Sequence, residues 1–148
     1  METTLAGRQP LRLMAQARDA GYLLLLAFIV PKVQDDTRFR IDNRVLKGSH
    51  NIPDADLKRR EPRILANLPD AIMLADLTAI YISSTRSQDF TLEGAVEGSG
   101  AHLTANVPQQ VRLAITRRFE VQEVTVIGDD HPGAERFQGQ IAWNIGNP

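Results

Sequence analysis

Hydrophobic positions in the first third of the chain follow two patterns. One has the period of a helix, and the other is a continuous apolar run typical of a buried strand. Apolar residues recur at helical spacing between Pro10 and Gly21, with proline in the first turn and glycine at the end, which predicts a helix. The next nine residues, YLLLLAFIV (22–30), are apolar on both faces and predict a buried parallel strand that ends at Pro31.

The following segment predicts three further helices and a second strand. A helix is expected from Asp35 or Asp36 to Gly48, and another begins at Pro53. Pro62 should break or kink that helix, because proline lacks the N–H group that an interior turn needs. A short helix over residues 69–75 and a strand, LTAIYI, complete the series. Helix, strand, helix, helix, strand in this order predicts an α/β fold with a parallel sheet and flanking helices.

Beyond residue 83 the pattern is more varied. A polar loop leads to TLEGAVEGSGAHLTANV (91–107), where the glycines allow a short hairpin. PQQVRLAITRRF (108–119) has one apolar face and predicts an amphipathic helix, and EVQEVTVIG (120–128) alternates as an exposed strand does. The turn-rich residues 129–148 carry a late apolar patch that favours either an added strand or a loosely held end.

Length and composition limit the classes of function. The 148 residues predict a single domain, residues 1–148, with a substantial core. A net charge of −1 gives no argument for a nucleic-acid or anionic-membrane partner, and a nine-residue apolar run is too short to span a bilayer. The chain has no cysteine, which excludes disulfides, and a cytoplasmic setting is expected.

Metal-binding patterns are weak. The three histidines, His50, His102 and His131, lie far apart, without carboxylates at ligand spacing. The triplet DDH at 129–131 precedes Pro132 and Gly133, a pattern more typical of a turn. We therefore expect no metal site.

A concentration of cations distinguishes KGSHNIPDADLKRREPRILANLPDAI, residues 47–72. On a helix that begins near Pro53, Arg59 and Arg63 share a face and Arg60 lies beside them. Guanidinium groups match phosphate oxygens bidentately, and a helix start offers N–H groups to an anion. The same spacing also fits a solvated helix face that acidic neighbours neutralise.

The residues around this segment resemble a known family. NRVLKGSHNIPDADLKRREPRILANLPDAIMLAD (43–76) resembles the lid region of the zeta toxins, P-loop small-molecule kinases of toxin–antitoxin systems. METTLAGRQPLRLMAQARDAGYLLLLAFI (1–29) is similar to the preceding stretch of that family. The resemblance covers residues 1–82 and leaves 83–148 as a divergent region. It implies a partial P-loop-kinase-like parallel sheet with added C-terminal strands, and a kinase that phosphorylates UDP-N-acetylglucosamine with ATP and Mg²⁺.

The resemblance implies substrate contacts for four residues. Glu2, with Thr4 beside it, matches the family's acidic residue, whose carboxylate accepts hydrogen bonds from the sugar. His50 lies where some members have arginine and others histidine, and is expected either to contact phosphate or to cap the turn before Pro53. Arg59 belongs to the basic lid helix. Asp76 is expected to end a helix rather than to take part in chemistry.

The resemblance implies catalytic roles for two arginines. Arg44 matches the arginine before the lid loop and is expected to stabilise the negative charge of the transferred phosphoryl group. Arg60 lies in the lid helix and is ranked ahead of Arg59.

The chain also departs from the family. It has no G-x-x-x-x-G-K-[ST] loop for the phosphates and Mg²⁺, and GAVEGSG (94–100) has no lysine after it. The family's general-base aspartate would lie upstream of Glu2. We therefore expect a truncated and catalytically impaired relative. Its exposed sheet flank is expected either to form a homo-oligomer or to be covered by the C-terminal strands.

Three functions remain open at this stage. The first is a zeta-toxin-like kinase remnant, with a nucleotide-sugar substrate and an antitoxin as partner. The second is a non-catalytic module that binds a nucleotide, a nucleotide sugar or a protein. The third is a structural or assembly protein unrelated to kinases.

Overall fold

The computed structural model describes residues 1–31, 53–83 and 90–127, and only the backbone of residues 54 and 57. The predictions at residues 35–48 and 129–148, and those for Arg44 and His50, lie outside these ranges. The elements, in chain order, are α1 (Gln9–Asp19), β1 (Leu25–Pro31), α2 (Asp54–Leu74), β2 (Leu77–Ser83), β3 (Phe90–Glu97), β4 (Gly100–Leu103), α3 (Gln109–Thr116) and β5 (Glu120–Glu123).

The strands form one five-stranded mixed sheet in the order β1-β2-β3-β4-β5. β1 is parallel to β2, β3 is antiparallel to both β2 and β4, and β4 is parallel to β5. The α/β prediction with flanking helices is therefore confirmed. The hairpin expected in residues 91–107 is the β3–β4 pair, and the C-terminal strands join the same sheet.

The main core lies between one face of the sheet and the three described helices. Each helix contributes its apolar stripe, and the strands contribute inward-facing side chains at alternate positions. The fully buried large members are Leu68, Ile80, Leu103 and Ile115. A smaller cluster of Leu77, Ala79 and Tyr81 packs on the opposite face of β2. None of the described helices is long and apolar enough to cross a membrane.

The helix α2 passes through two prolines without a break. Of the break or kink predicted at Pro62, the break does not occur, and the separate helix predicted over 69–75 is wrong, since one helix of 21 residues covers both positions. A proline inside a helix costs about 3 kcal/mol, but burying side chains such as Leu68 and Ile72 recovers roughly 1.5–3 kcal/mol for each. Packing of the second half of α2 therefore offsets the loss.

The N-terminal segment around Leu5 is hydrogen-bonded to Asn67 in α2. Leu5 is only 2% exposed and has a positive φ of 56°, in the left-handed region that disfavours leucine. The side-chain amide of Asn67 donates to the Leu5 carbonyl over 2.8 Å, and it also lies 3.4 Å from the Gly7 carbonyl. Burial of Leu5 and these hydrogen bonds stabilise the left-handed backbone conformation at Leu5.

Tyr81 makes the fold sensitive to alkaline pH. Burial raises the pKa of its phenol above the ordinary value of 10.0, because desolvation disfavours the phenolate. The resulting stabilisation is complete below the unfolded pKa and is lost as the pH rises through the higher folded pKa. We expect alkaline unfolding, followed by circular dichroism, to move to higher pH in Tyr81→Phe. Tyr22→Phe, at a side chain 69% exposed, should leave the midpoint unchanged.

Candidate functional site

Four of the five strands end at the same edge of the sheet. Because β3 is antiparallel to both β2 and β4, the remaining strands β1, β2, β4 and β5 all run in one direction. Ligands of open α/β sheets bind outside the carboxyl ends of the parallel strands. We call this side of the sheet the carboxyl edge, and a ligand-binding site is expected there.

The helix α2 brings its cations to the carboxyl edge. Its far end is fixed at the opposite edge, where the Asp76 carboxylate accepts the Leu24 N–H at 2.7 Å and the Asp76 N–H donates to the Leu24 carbonyl at 2.8 Å. The helix has 21 residues and β2 has seven, which correspond to lengths of roughly 31 Å and 23 Å. The first turns of α2 therefore reach the carboxyl edge, where the chain carries its basic segment, residues 58–63.

The basic segment is not uniform. Lys58, Arg59 and Arg63 are exposed and Arg60 is half-buried. Arg59 donates to Asp56 at 2.9 Å, the pairing that the solvated-face interpretation predicts. Within the described residues, no ion pair engages Lys58, Arg60 or Arg63.

The start of α3 lies beside the basic segment. The Gln110 side-chain amide donates to the Glu61 carboxylate at 3.3 Å, which joins the first turn of α3 to α2. Pro53 and Pro108 precede the two helices, and neither helix start has a side-chain hydrogen-bond cap. Both helices therefore present N–H groups at the carboxyl edge, where the helix dipoles favour negative charge.

A β-bulge places a buried carboxylate at the same edge. Ile80 pairs with Gly94 while the next residue, Tyr81, pairs with Leu92, so Glu93 is the extra residue in β3. Glu93 is only 8% exposed. Bulges commonly redirect a side chain next to a functional site, and this one turns the Glu93 carboxylate toward the end of β4.

The Glu93 carboxylate organises the turn between β4 and α3. It accepts hydrogen bonds from the Thr104 hydroxyl and, at 3.1 Å, from the Asn106 amide. The Thr104 N–H also donates to the Glu93 carbonyl at 2.9 Å. The Thr104 carbonyl accepts from the Arg112 guanidinium at 2.6 Å, and Arg112 lies 3.6 Å from the Glu123 carboxylate. The turn is therefore bound to β3 through Glu93 and to α3 through Arg112, and Arg112 also approaches β5 at Glu123.

An open depression of about 520 Å³ adjoins this turn. Its lining comes from the turn after β4 and from the residues that end and follow β5: Thr104, Ala105, Asn106, Glu123, Val124 and Thr125. Four of these six residues, Thr104, Asn106, Glu123 and Thr125, have polar side chains. No group of three or more potential metal ligands occurs in the described part of the chain.

Four of the predicted site residues, Glu2, Thr4, Arg59 and Arg60, lie in the described part of the chain. Glu2 and Thr4 are exposed in the segment before α1, and no described contact joins them to the basic segment. Arg59 and Arg60 both lie at the carboxyl edge, one exposed and paired, the other half-buried. The expectation for Asp76 agrees with its position just past α2, where it ties β1 to β2.

Comparison of the chain with protein-family models, with curated proteins and with solved structures gave no match. The zeta toxin resemblance therefore stays a prediction, as do kinase activity, ATP and Mg²⁺ as cofactors, and an antitoxin partner.

The polar half of the site, around Glu93, was not predicted from the sequence. Glu93 lies in β3, Thr104 in the turn after β4 and Arg112 in α3, and no linear motif unites them. One local signal was available: a charged residue followed by glycine inside an otherwise apolar strand is typical of a bulge.

Proposed function

We propose that this chain is a zeta-toxin-like module that binds a phosphorylated small molecule, a nucleotide or nucleotide sugar, at the carboxyl edge. The supporting observation is that the basic segment of α2 and the uncapped start of α3 meet at this edge, beside the turn that Glu93 organises. The proposal covers binding alone. The chain has no G-x-x-x-x-G-K-[ST] loop to position phosphates for transfer.

Arg60 and Arg63 are the side chains best suited to hold phosphate. Arg60 is half-buried, so its charge is less screened and its side chain loses less freedom on binding. Arg63 follows three residues later on the same side of the helix. Arg59 is less suited, because binding would have to break its ion pair with Asp56.

Titration of the full chain with ATP, ADP and UDP-N-acetylglucosamine, with and without Mg²⁺, tests this proposal by calorimetry. A hydrogen bond to a charged group contributes about 1.5–3 kcal/mol, so we expect Arg60→Ala to raise the dissociation constant roughly tenfold or more. Arg63→Ala should have a smaller effect, because the side chain is more exposed. Higher salt should weaken binding in the wild type more than in either variant.

Arg117→Ala is the matched control. Arg117 is an exposed arginine that follows the last residue of α3, at the opposite end of that helix from the carboxyl edge. Its removal changes the net charge equally but should leave binding unchanged. The absence of binding by any of the three ligands contradicts the proposal, and so does equal weakening in Arg60→Ala and Arg117→Ala.

A further inference from the structure

The outer edge of β1 is an unpaired strand edge in the described part of the chain. β1 pairs with β2 over all seven of its residues, and no described strand pairs with its other side. On one face of β1, Ala27 is exposed and Ile29 is 45% exposed. Just before the strand, Tyr22 and Leu23 are 69% and 64% exposed. The apolar surface therefore continues along the whole edge.

Within residues 1–31, 53–83 and 90–127, this edge shows none of the usual protection against pairing. Native edge strands carry charged side chains, internal prolines or bulges that prevent another strand from adding on. From residue 20 to residue 31 the chain has no charged residue, and its single proline, Pro31, is the last residue of β1. The register with β2 is continuous from Leu25 to Pro31, so the strand has no bulge. A regular, uncharged edge of this kind is a pairing site.

We propose that a second copy of this chain adds to the edge, with the two β1 strands antiparallel across a two-fold axis. The axis places one residue opposite its own copy. Centring on Ala27 brings all of residues 23–31 into register, with Leu25 opposite Ile29 and Leu26 opposite Phe28. Every pair is then apolar, and no like charges face each other.

The strand is suited to its own copy in two further respects. Ala27 is small and exposed, so the two copies can approach closely at the axis while Leu25 and Ile29 cover it from both sides. The pairing extends the five-stranded sheet of each protomer into one ten-stranded sheet, within the size that open sheets reach. The carboxyl edges of the two protomers point in opposite directions, so this interface does not depend on the proposed ligand site.

Light scattering coupled to size exclusion tests the dimer at micromolar concentration. We expect the wild-type chain to be dimeric and Ala27→Lys to be monomeric, because two lysines would meet at the axis. Leu113→Lys, at a side chain 55% exposed on α3, should stay dimeric. A wild-type monomer, or a folded Ala27→Lys variant that keeps the wild-type mass, overturns the proposal.

The lack of cysteine in the chain allows a second test that does not rely on a charged variant. Directly opposite residues of antiparallel strands have Cβ atoms about 4.5–5.5 Å apart, within reach of a disulfide after small shifts. Ala27→Cys should therefore form a disulfide-linked dimer on mild oxidation, whereas Leu113→Cys should not. An Ala27→Cys monomer that reacts freely with a thiol reagent shows an open edge, and an unreactive monomer shows that another segment of the chain covers it. Both results overturn the proposal.

Discussion

Replacing Gly94 with alanine is expected to destabilise the fold by about 1–3 kcal/mol, because the added methyl group overpacks the core. A Cβ atom at this position would lie 2.8 Å from Leu103 Cδ2, 3.0 Å from Ile80 Cδ1 and 3.2 Å from Ile80 Cβ. Both neighbouring side chains are fully buried in the core, and Ile80 Cβ is not the flexible end of its side chain. The entropy gained from a less flexible unfolded chain, about 0.4–1 kcal/mol, is too small to compensate. Urea unfolding measures the difference.

Gly100→Ala is the control in the same hairpin. A Cβ atom there would meet only the Glu97 carbonyl oxygen, at 3.8 Å, which is an ordinary contact. We expect this variant to remain within about 0.5 kcal/mol of the wild type. If both variants lose the same stability, the close approach at Gly94 is not the cause.

The strands could be predicted from the sequence, but their exposure could not. Apolar runs at 22–30 and 77–82 indicated strands, and the structure has β1 and β2 there. β2 is buried throughout, whereas β1 is only half-buried along an edge of the sheet. The two runs have the same hydrophobic character, so only the arrangement of neighbouring strands separates them.

The helices show how packing overrides local preference. The helices predicted over 10–21 and 108–119 match α1 and α3, because each has a single apolar face. A break or a kink was expected at Pro62, and the break does not occur. A proline in the sequence indicates only a local free-energy cost to the helix. The sequence does not reveal how much of the core the second half of α2 buries.

Only the basic segment of the candidate site was predicted from the sequence. The charge pattern of residues 58–63 identified the basic segment, because arginines at helical spacing are visible in one stretch of sequence. Glu93 was missed because its role depends on a bulge and on Thr104, which lies in the turn after β4. Contacts between distant residues follow from strand register, which one sequence does not fix.

Removing the Glu93 carboxylate is expected to destabilise the turn that leads into α3. In Glu93→Leu the Thr104 hydroxyl, at a residue 2% exposed, loses its acceptor, which costs about 1–3 kcal/mol. Asn106 is exposed, and its amide can turn to water, so it adds little. Glu93→Gln keeps an oxygen that accepts from Thr104 and should cost less than Glu93→Leu. Urea unfolding of both variants gives the order.

A double-mutant cycle with Thr104→Val isolates the contact between these two side chains. If the hydrogen bond is the main term, the Glu93→Leu/Thr104→Val pair should be more stable than the sum of the single losses predicts, by about 0.5–3 kcal/mol. Both polar groups leave together in the double variant, so neither stays buried without a partner. Strict additivity would mean that Glu93 acts through the bulge geometry instead. In that case the hydrogen bond from Thr104 to the Glu93 carboxylate is not what stabilises the start of α3 at the carboxyl edge. Other contacts must then hold Thr104 and Asn106 in the lining of the depression.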